Sequence, residues 1–132
     1  FPYGDYLPVS PLRYILDNRS RNLHTLVLLD LDPTGLGVVS PVHMSPAEAG
    51  VILLKMVEKY KIESSSKEGL IEDILDWPVI VLSDLGMVDC RVCSINLKGV
   101  SNVKGGRIHC LILPSSMDDL EQSSYDGMYI GD

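Results

Sequence analysis

Two carboxylates close an apolar run in this chain. Leu26-Val27-Leu28-Leu29 leads into Asp30-Leu31-Asp32, and His24 stands just ahead of the run. In extended chain, positions 30 and 32 point to the same side, so one site receives both acidic groups. Paired carboxylates can hold a divalent cation, or act as nucleophile and proton shuttle in group transfer. The structural use of the same pair is a strand-end turn, hydrogen-bonded to the Thr34-Gly35 backbone. A second group is Cys90-x-x-Cys93 with His109-Cys110. Its residue types suit zinc, but His109 and Cys110 are neighbours on an expected strand. They face opposite sides and are badly placed to share one ion, so no metal site is expected. The three cysteines read as small buried hydrophobes in a reducing cytoplasm.

The elements that must position these groups follow from pattern and punctuation. Ser10-Pro11 starts a helix that runs to about Arg21, with Leu12, Ile15 and Leu16 on one face. A strand over 24–30 follows. Its continuous apolar run suggests burial on both faces, in a parallel sheet with its ligand end at Asp30. Ser45-Pro46-Ala47-Glu48 is a capping box, opening a helix over 46–60 with the stripe Ala49, Ile52, Leu53, Met56 and Val57. Residues 69–76 suggest a short helix, stopped at Trp77-Pro78. Val79 to Leu82 is a second continuous apolar strand, and Asp84-Leu85-Gly86 turns at its end. Val92 to Leu97 alternates as an edge strand does, and Ile108 to Leu113 is a last buried strand. The tail from Ser115 is polar, acidic and loosely patterned. Met44 and Met56 are expected in the core. Glu48, Glu58 and Glu63 are read as solvated helix face, and His24 as a hydrogen-bonded structural histidine.

At 132 residues the chain makes a single domain over 1–132, long enough to bury a core. Its net charge of −7 speaks against nucleic acid or an anionic membrane surface as partner. No run is long enough to span a bilayer, and no signal-peptide pattern is present. Opening at Phe1 without an initiator Met, the chain reads as a domain cut from a longer protein.

Two resemblances compete for the carboxylate strand. Val27 to Thr34 resembles the first motif of haloacid-dehalogenase-type phosphatases, a hydrophobic strand followed by Asp-x-Asp-x-Thr. That likeness implies Asp30 as nucleophile, Asp32 as acid–base partner and magnesium as counterion. Ser83, Lys98 or Lys104, and Asp118-Asp119 stand in for the remaining motifs. The acidic pair follows Pro114-Ser115-Ser116 rather than a strand, and the length is cramped for that core.

The second resemblance covers Phe1 to about Glu121 and is similar to the C-terminal half of the diphthine synthase family in its archaeal form. It runs through Pro2, Gly4 and Pro8-x-Ser10. Next come Leu23-His24-Thr25-Leu26 with Leu29-Asp30, then Met44-Ser45, Glu48-Ala49 and Leu53-Leu54-Lys55. It continues at Gly86, at His109 through Pro114, and at Glu121. This resemblance implies the C-terminal α/β domain of a tetrapyrrole-methylase-like two-domain fold. The implied sheet is mixed, with about four or five strands flanked by helices, and an N-terminal cofactor-loop domain lies outside this chain. It implies S-adenosyl-L-methionine as cofactor, contacted at Leu29, Leu85 and His109, with no catalytic residue assigned. It also implies elongation factor 2 as protein substrate, a homodimer and a cytoplasmic setting. Methyl transfer to an amine needs alignment more than acid–base groups, so the lack of an evident catalytic dyad favours this reading over a hydrolase. One departure is visible: the family's Ala-Arg-Ala-Gly is Ser83-Asp84-Leu85-Gly86 here, so an arginine has become an aspartate. A non-catalytic dimerisation or docking module is the third possibility.

Overall fold

Pro46 just after Ser45 starts the longest helix for a local reason. The Ser45 hydroxyl accepts the Glu48 N–H at 3.1 Å and donates to the Glu48 carboxylate at 3.2 Å, which satisfies backbone that a helix start leaves bare. A computed structural model of the chain describes residues 9–29, 44–63, 74–105 and 109–131. The elements are α1 (Ser10–Ser20), β1 (Thr25–Leu28), α2 (Pro46–Glu63), β2 (Pro78–Ser83), β3 (Arg91–Asn96), β4 (His109–Leu113) and α3 (Asp119–Gly127). Two 3₁₀ turns, Ile74–Asp76 and Leu97–Asn102, flank β2 and β3 in sequence. Of the short helix expected over 69–76, only the 3₁₀ turn falls within the described residues.

The four strands form one sheet in the order β1-β4-β2-β3. The α/β class and the strand count hold. The mixed sheet and the parallel setting of the first strand do not: every ladder among the described residues is antiparallel. The reason is burial. Leu26 and Leu28 face outward at 59% and 68% exposure, so the continuous apolar run of β1 marks one covered face and one open apolar face. Likewise β2 alternates between buried and half-buried residues.

The inner face is the core. Val79, Val81, Leu111 and Leu113 are fully buried there. They pack with Leu12 and Ile15 of α1, and with Ala49, Leu53, Met56 and Val57 of α2, the helix faces that the sequence periodicity marks. Met44 and Met56 lie in this core as expected. In α1, Val9 occupies the cap position without a side-chain cap and Ser10 is already helical, so the expected serine cap is displaced by one residue. Arg19 ties α1 to the sheet. Its guanidinium donates to the Pro114 carbonyl at 2.9 Å and stacks on Trp77, 4.0 Å from the ring centroid.

The tail is more ordered than its composition suggests, because α3 is built there. Asp118 accepts the Glu121 N–H at 2.8 Å and Glu121 accepts the Asp118 N–H, a complete capping box. α3 lies on the outer face over Ser94 and beside Ile80 and Ile112. Beyond it, Ile130 donates to the Ser94 carbonyl at 2.9 Å and Ser94 donates to Met128, which covers part of the free edge of β3. Among the described residues no helix is long and apolar enough to cross a membrane.

Candidate functional site

The sheet has two chemically different ends. At one end β1 begins, β4 finishes and β2 starts. Here His24 is clamped: its Nδ1 accepts the Ser115 N–H at 2.9 Å, and its Nε2 pairs with Glu121 of α3. Since Nδ1 is an acceptor, the neutral ring carries its proton on Nε2 and donates it to the carboxylate. Both ring nitrogens are used in tying β1, the Pro114 turn and α3 together, which is a structural role.

At the other end β1 and β2 finish and β4 starts. A cavity of about 270 Å³ opens there, lined by Leu28, Leu29, Leu82, Asp84, Leu85, Met87, His109 and Cys110. The three positions singled out from the resemblance, Leu29, Leu85 and His109, therefore meet in one place. Antiparallel register brings this about, since Leu28 stands opposite Cys110 and Ser83 opposite His109. Leu29 follows directly on β1, and the turn after β2 carries Leu85 to the rim.

That turn is held by backbone geometry. Met87 N–H bonds the Asp84 carbonyl at 3.0 Å and Cys90 N–H bonds Met87 at 3.1 Å. Asp84 has φ 55° and Gly86 φ 83°. Aspartate tolerates the left-handed region better than most residues, and glycine adopts it freely. Asp84 is nevertheless buried, at 9% exposure, whereas Leu85 and Met87 project outward at 56% and 50%. The cavity thus has apolar walls, one carboxylate and one imidazole. His109 is itself buried at 7% exposure, and its Nδ1 lies 2.8 Å from the Ser83 hydroxyl. Burial pushes the Cys110 thiol up from its ordinary range, so it stays protonated in the cavity wall at neutral pH.

The carboxylate pair Asp30 and Asp32 lies outside the described residues. Of the other groups recruited for a phosphatase, Lys104 offers its carbonyl to Arg91, which stands opposite Ser83, whereas Lys98 and Ser83 lie at opposite ends of β2. Lys98 pairs with Asp76 at 3.1 Å at the start of β2, whereas Ser83 closes its far end, about 17 Å away for a six-residue strand. Asp118 is spent on capping α3. Of the cysteines, Cys93 is buried as expected. Cys110 is half-buried and Cys90 exposed, so the core-filler reading holds for one of three. Glu48 and Glu58 are exposed on α2 as read. The cavity residues missed in the sequence are Leu28, Leu82, Asp84 as a buried wall, Met87 and Cys110. Only the pairing of β1, β2 and β4 assembles them, and a single sequence does not print that pairing.

No protein-family model matches the chain. Curated relatives are diphthine synthases. That of Saccharolobus solfataricus is 30% identical over 122 residues, 92% of this chain and 42% of the relative. That of Sulfurisphaera tokodaii is 36% identical over 104 residues, 79% of this chain and 35% of the relative. The chain thus spans less than half the length of the curated relatives it matches. Among solved structures, a protein of Entamoeba histolytica assigned as a diphthine synthase aligns at TM-score 0.79 and 24% identity, covering 100% of this chain and 49% of its own. A further diphthine synthase structure aligns at TM-score 0.71 and 17% identity, covering 94% and 41%. These two likenesses establish a shared fold, and the resemblance read from the sequence holds.

Proposed function

We propose that this chain, similar to part of the diphthine synthases over most of its length, supplies one wall of the S-adenosyl-L-methionine site of such a methyltransferase. It would be the C-terminal domain of a two-domain enzyme. A single observation carries the reading: Leu29, Leu85 and His109, picked out by resemblance alone, line the same cavity at the strand ends. The residues fit the group. Leu28, Leu29, Leu82, Leu85 and Met87 offer an apolar surface for an adenine ring, and His109 with Asp84 offers polar atoms for ribose or amino-acid oxygens and nitrogens. Its volume is just under the roughly 300–1,000 Å³ usual for small-molecule sites. That size suits a half-site to be completed by another domain.

The cofactor supplies a methyl group already activated on a sulfonium. What this chain contributes is binding, orientation and exclusion of water by the leucine wall. Asp84 stands at this rim where the resemblance places arginine, so the residue type there departs from the family's. Elongation factor 2 as protein substrate, a homodimer, and a cytoplasmic setting follow from the same reading. The open apolar strip of Leu26 and Leu28 beside the cavity supports a covering domain or subunit. The test is methyl transfer from labelled S-adenosyl-L-methionine to elongation factor 2 bearing the unmethylated precursor. The 132 residues alone should give little or no transfer, because half of the cleft is missing. Robust turnover by this chain alone would overturn the two-domain reading.

A further inference from the structure

Ser83 is the polar residue of this end whose use is unexplained. In the family segment the same place is an alanine, and here it carries a hydroxyl. Ser83 is 2% exposed and sits on β2 directly opposite His109 of β4. Among the described residues its side chain has one hydrogen-bond partner, His109 Nδ1 at 2.8 Å. A Ser–His pair at this distance invites comparison with an activated nucleophile. Burial excludes that use, since no substrate can reach the oxygen.

The alternative follows from satisfaction of buried donors. A buried hydroxyl that donates to nothing is costly, so Ser83 donates its proton to the acceptor within reach. Nδ1 is then the acceptor, and the neutral imidazole keeps its own proton on Nε2. Resting on the cofactor reading of the cavity, we propose that Ser83 is a positioning residue. It holds the His109 ring by Nδ1, so that His109 meets the cavity as an Nε2–H donor rather than as a base. A donor there suits an acceptor atom of an adenosyl ligand, such as a ribose or carboxylate oxygen.

The test is long-range ¹H–¹⁵N NMR of the imidazole nitrogens in the ¹⁵N-labelled chain, with S-adenosyl-L-homocysteine as titrant. Without ligand, His109 should show a pyrrole-like Nε2 and a pyridine-like Nδ1. Ser83→Ala should convert this to a mixture of tautomers, and Ser83→Thr should restore the native pattern. With ligand, Ser83→Ala should raise the dissociation constant about three- to tenfold, and Ser83→Thr should stay within about twofold of native. A proton on Nδ1 in the native chain, or an unchanged ring pattern in Ser83→Ala with the fold intact by circular dichroism, overturns the proposal. So does equal affinity of the native chain and Ser83→Ala. If the ligand moves no signal in the native chain, the cofactor reading falls, while the ring pattern still decides the hold of Ser83 on His109.

Discussion

The two faces of the sheet are made of the same kinds of residue and end in opposite states. On the inner face Leu111 and Leu113 are completely buried under α1 and α2, while on the outer face Leu26 and Leu28 are more than half exposed. The difference is in what lies above them. α3 covers the half of the outer face around Ser94, held by Tyr125, which donates to the Ile95 carbonyl at 2.8 Å. The half made by β1 and the start of β4 has no such cover among the described residues, and it borders the cavity. Burial of the inner face holds the fold together, and this outer half stays open among the described residues.

The sharpest way to break this comparison uses one substitution on each face. Leu111→Ala should cost about 2–5 kcal/mol, through lost transfer energy and a residual cavity. Leu28→Ala, one register position away on the neighbouring strand, should stay within about 0.5 kcal/mol of native. Chemical denaturation at constant slope reads both. A Leu28→Ala loss as large as that of Leu111→Ala would make the outer face a core, and the distinction would vanish.

Next in size is an effect on binding. In an enzyme that completes the cleft, Leu85→Glu should weaken cofactor binding roughly a hundredfold, since ligand and covering domain desolvate the new carboxylate. Leu120→Glu, on the exposed side of α3, should leave affinity near native because its carboxylate stays hydrated. Equal affinities by calorimetry in two folded variants would show that Leu85 is not part of the site.

The covered half of the outer face depends on α3 staying in place. Asp118→Ala removes a complete capping box and should cost about 1 kcal/mol. Amide exchange should speed up along α3 and stay unchanged in β2 and β4. Uniform acceleration would mean that α3 is integral to the core rather than a cover for it.

The smallest effect is confined to alkaline solution. Burial, reinforced by Tyr129 and Asp126, pushes Tyr125 up to about 12 from an ordinary value near 10. Between these values the unfolded chain has lost the phenolic proton and the folded chain keeps it. Stability is therefore full below about pH 10 and falls as pH rises toward 12. Tyr125→Phe should flatten that decline, and an unchanged alkaline slope would remove Tyr125 from the account.

Much of this architecture is legible in the residues themselves. Ser45-Pro46-Ala47-Glu48 announces α2, Val92 to Leu97 reads as an edge strand and β3 is one, although it buries Cys93, Ser94 and Ile95 in succession rather than alternating, and the helix stripes name the core side chains. What misleads is Leu26 to Leu29. A continuous apolar run looks the same in one sequence whether its second face is covered by the same chain or by something else. α3 was hidden by its polar composition, although Asp118-Asp119-Leu120-Glu121 carries a capping signal. The cavity was legible only as separate positions, because Leu29, Leu85 and His109 are joined by strand register, a long-range property. The Ser83–His109 bond depends on the same register.

The central claim is that the strand-end cavity is an adenosyl cofactor site. The most direct measurement is a ¹H–¹⁵N amide shift map of this chain titrated with S-adenosyl-L-methionine. The account predicts that the largest saturable shifts fall on Leu29, Leu85, His109 and Cys110, at the end where β1 and β2 finish. Shifts confined to the α3 groove, at Met117, Leu120 and Met128, or no saturable shift at the cavity residues, would contradict it.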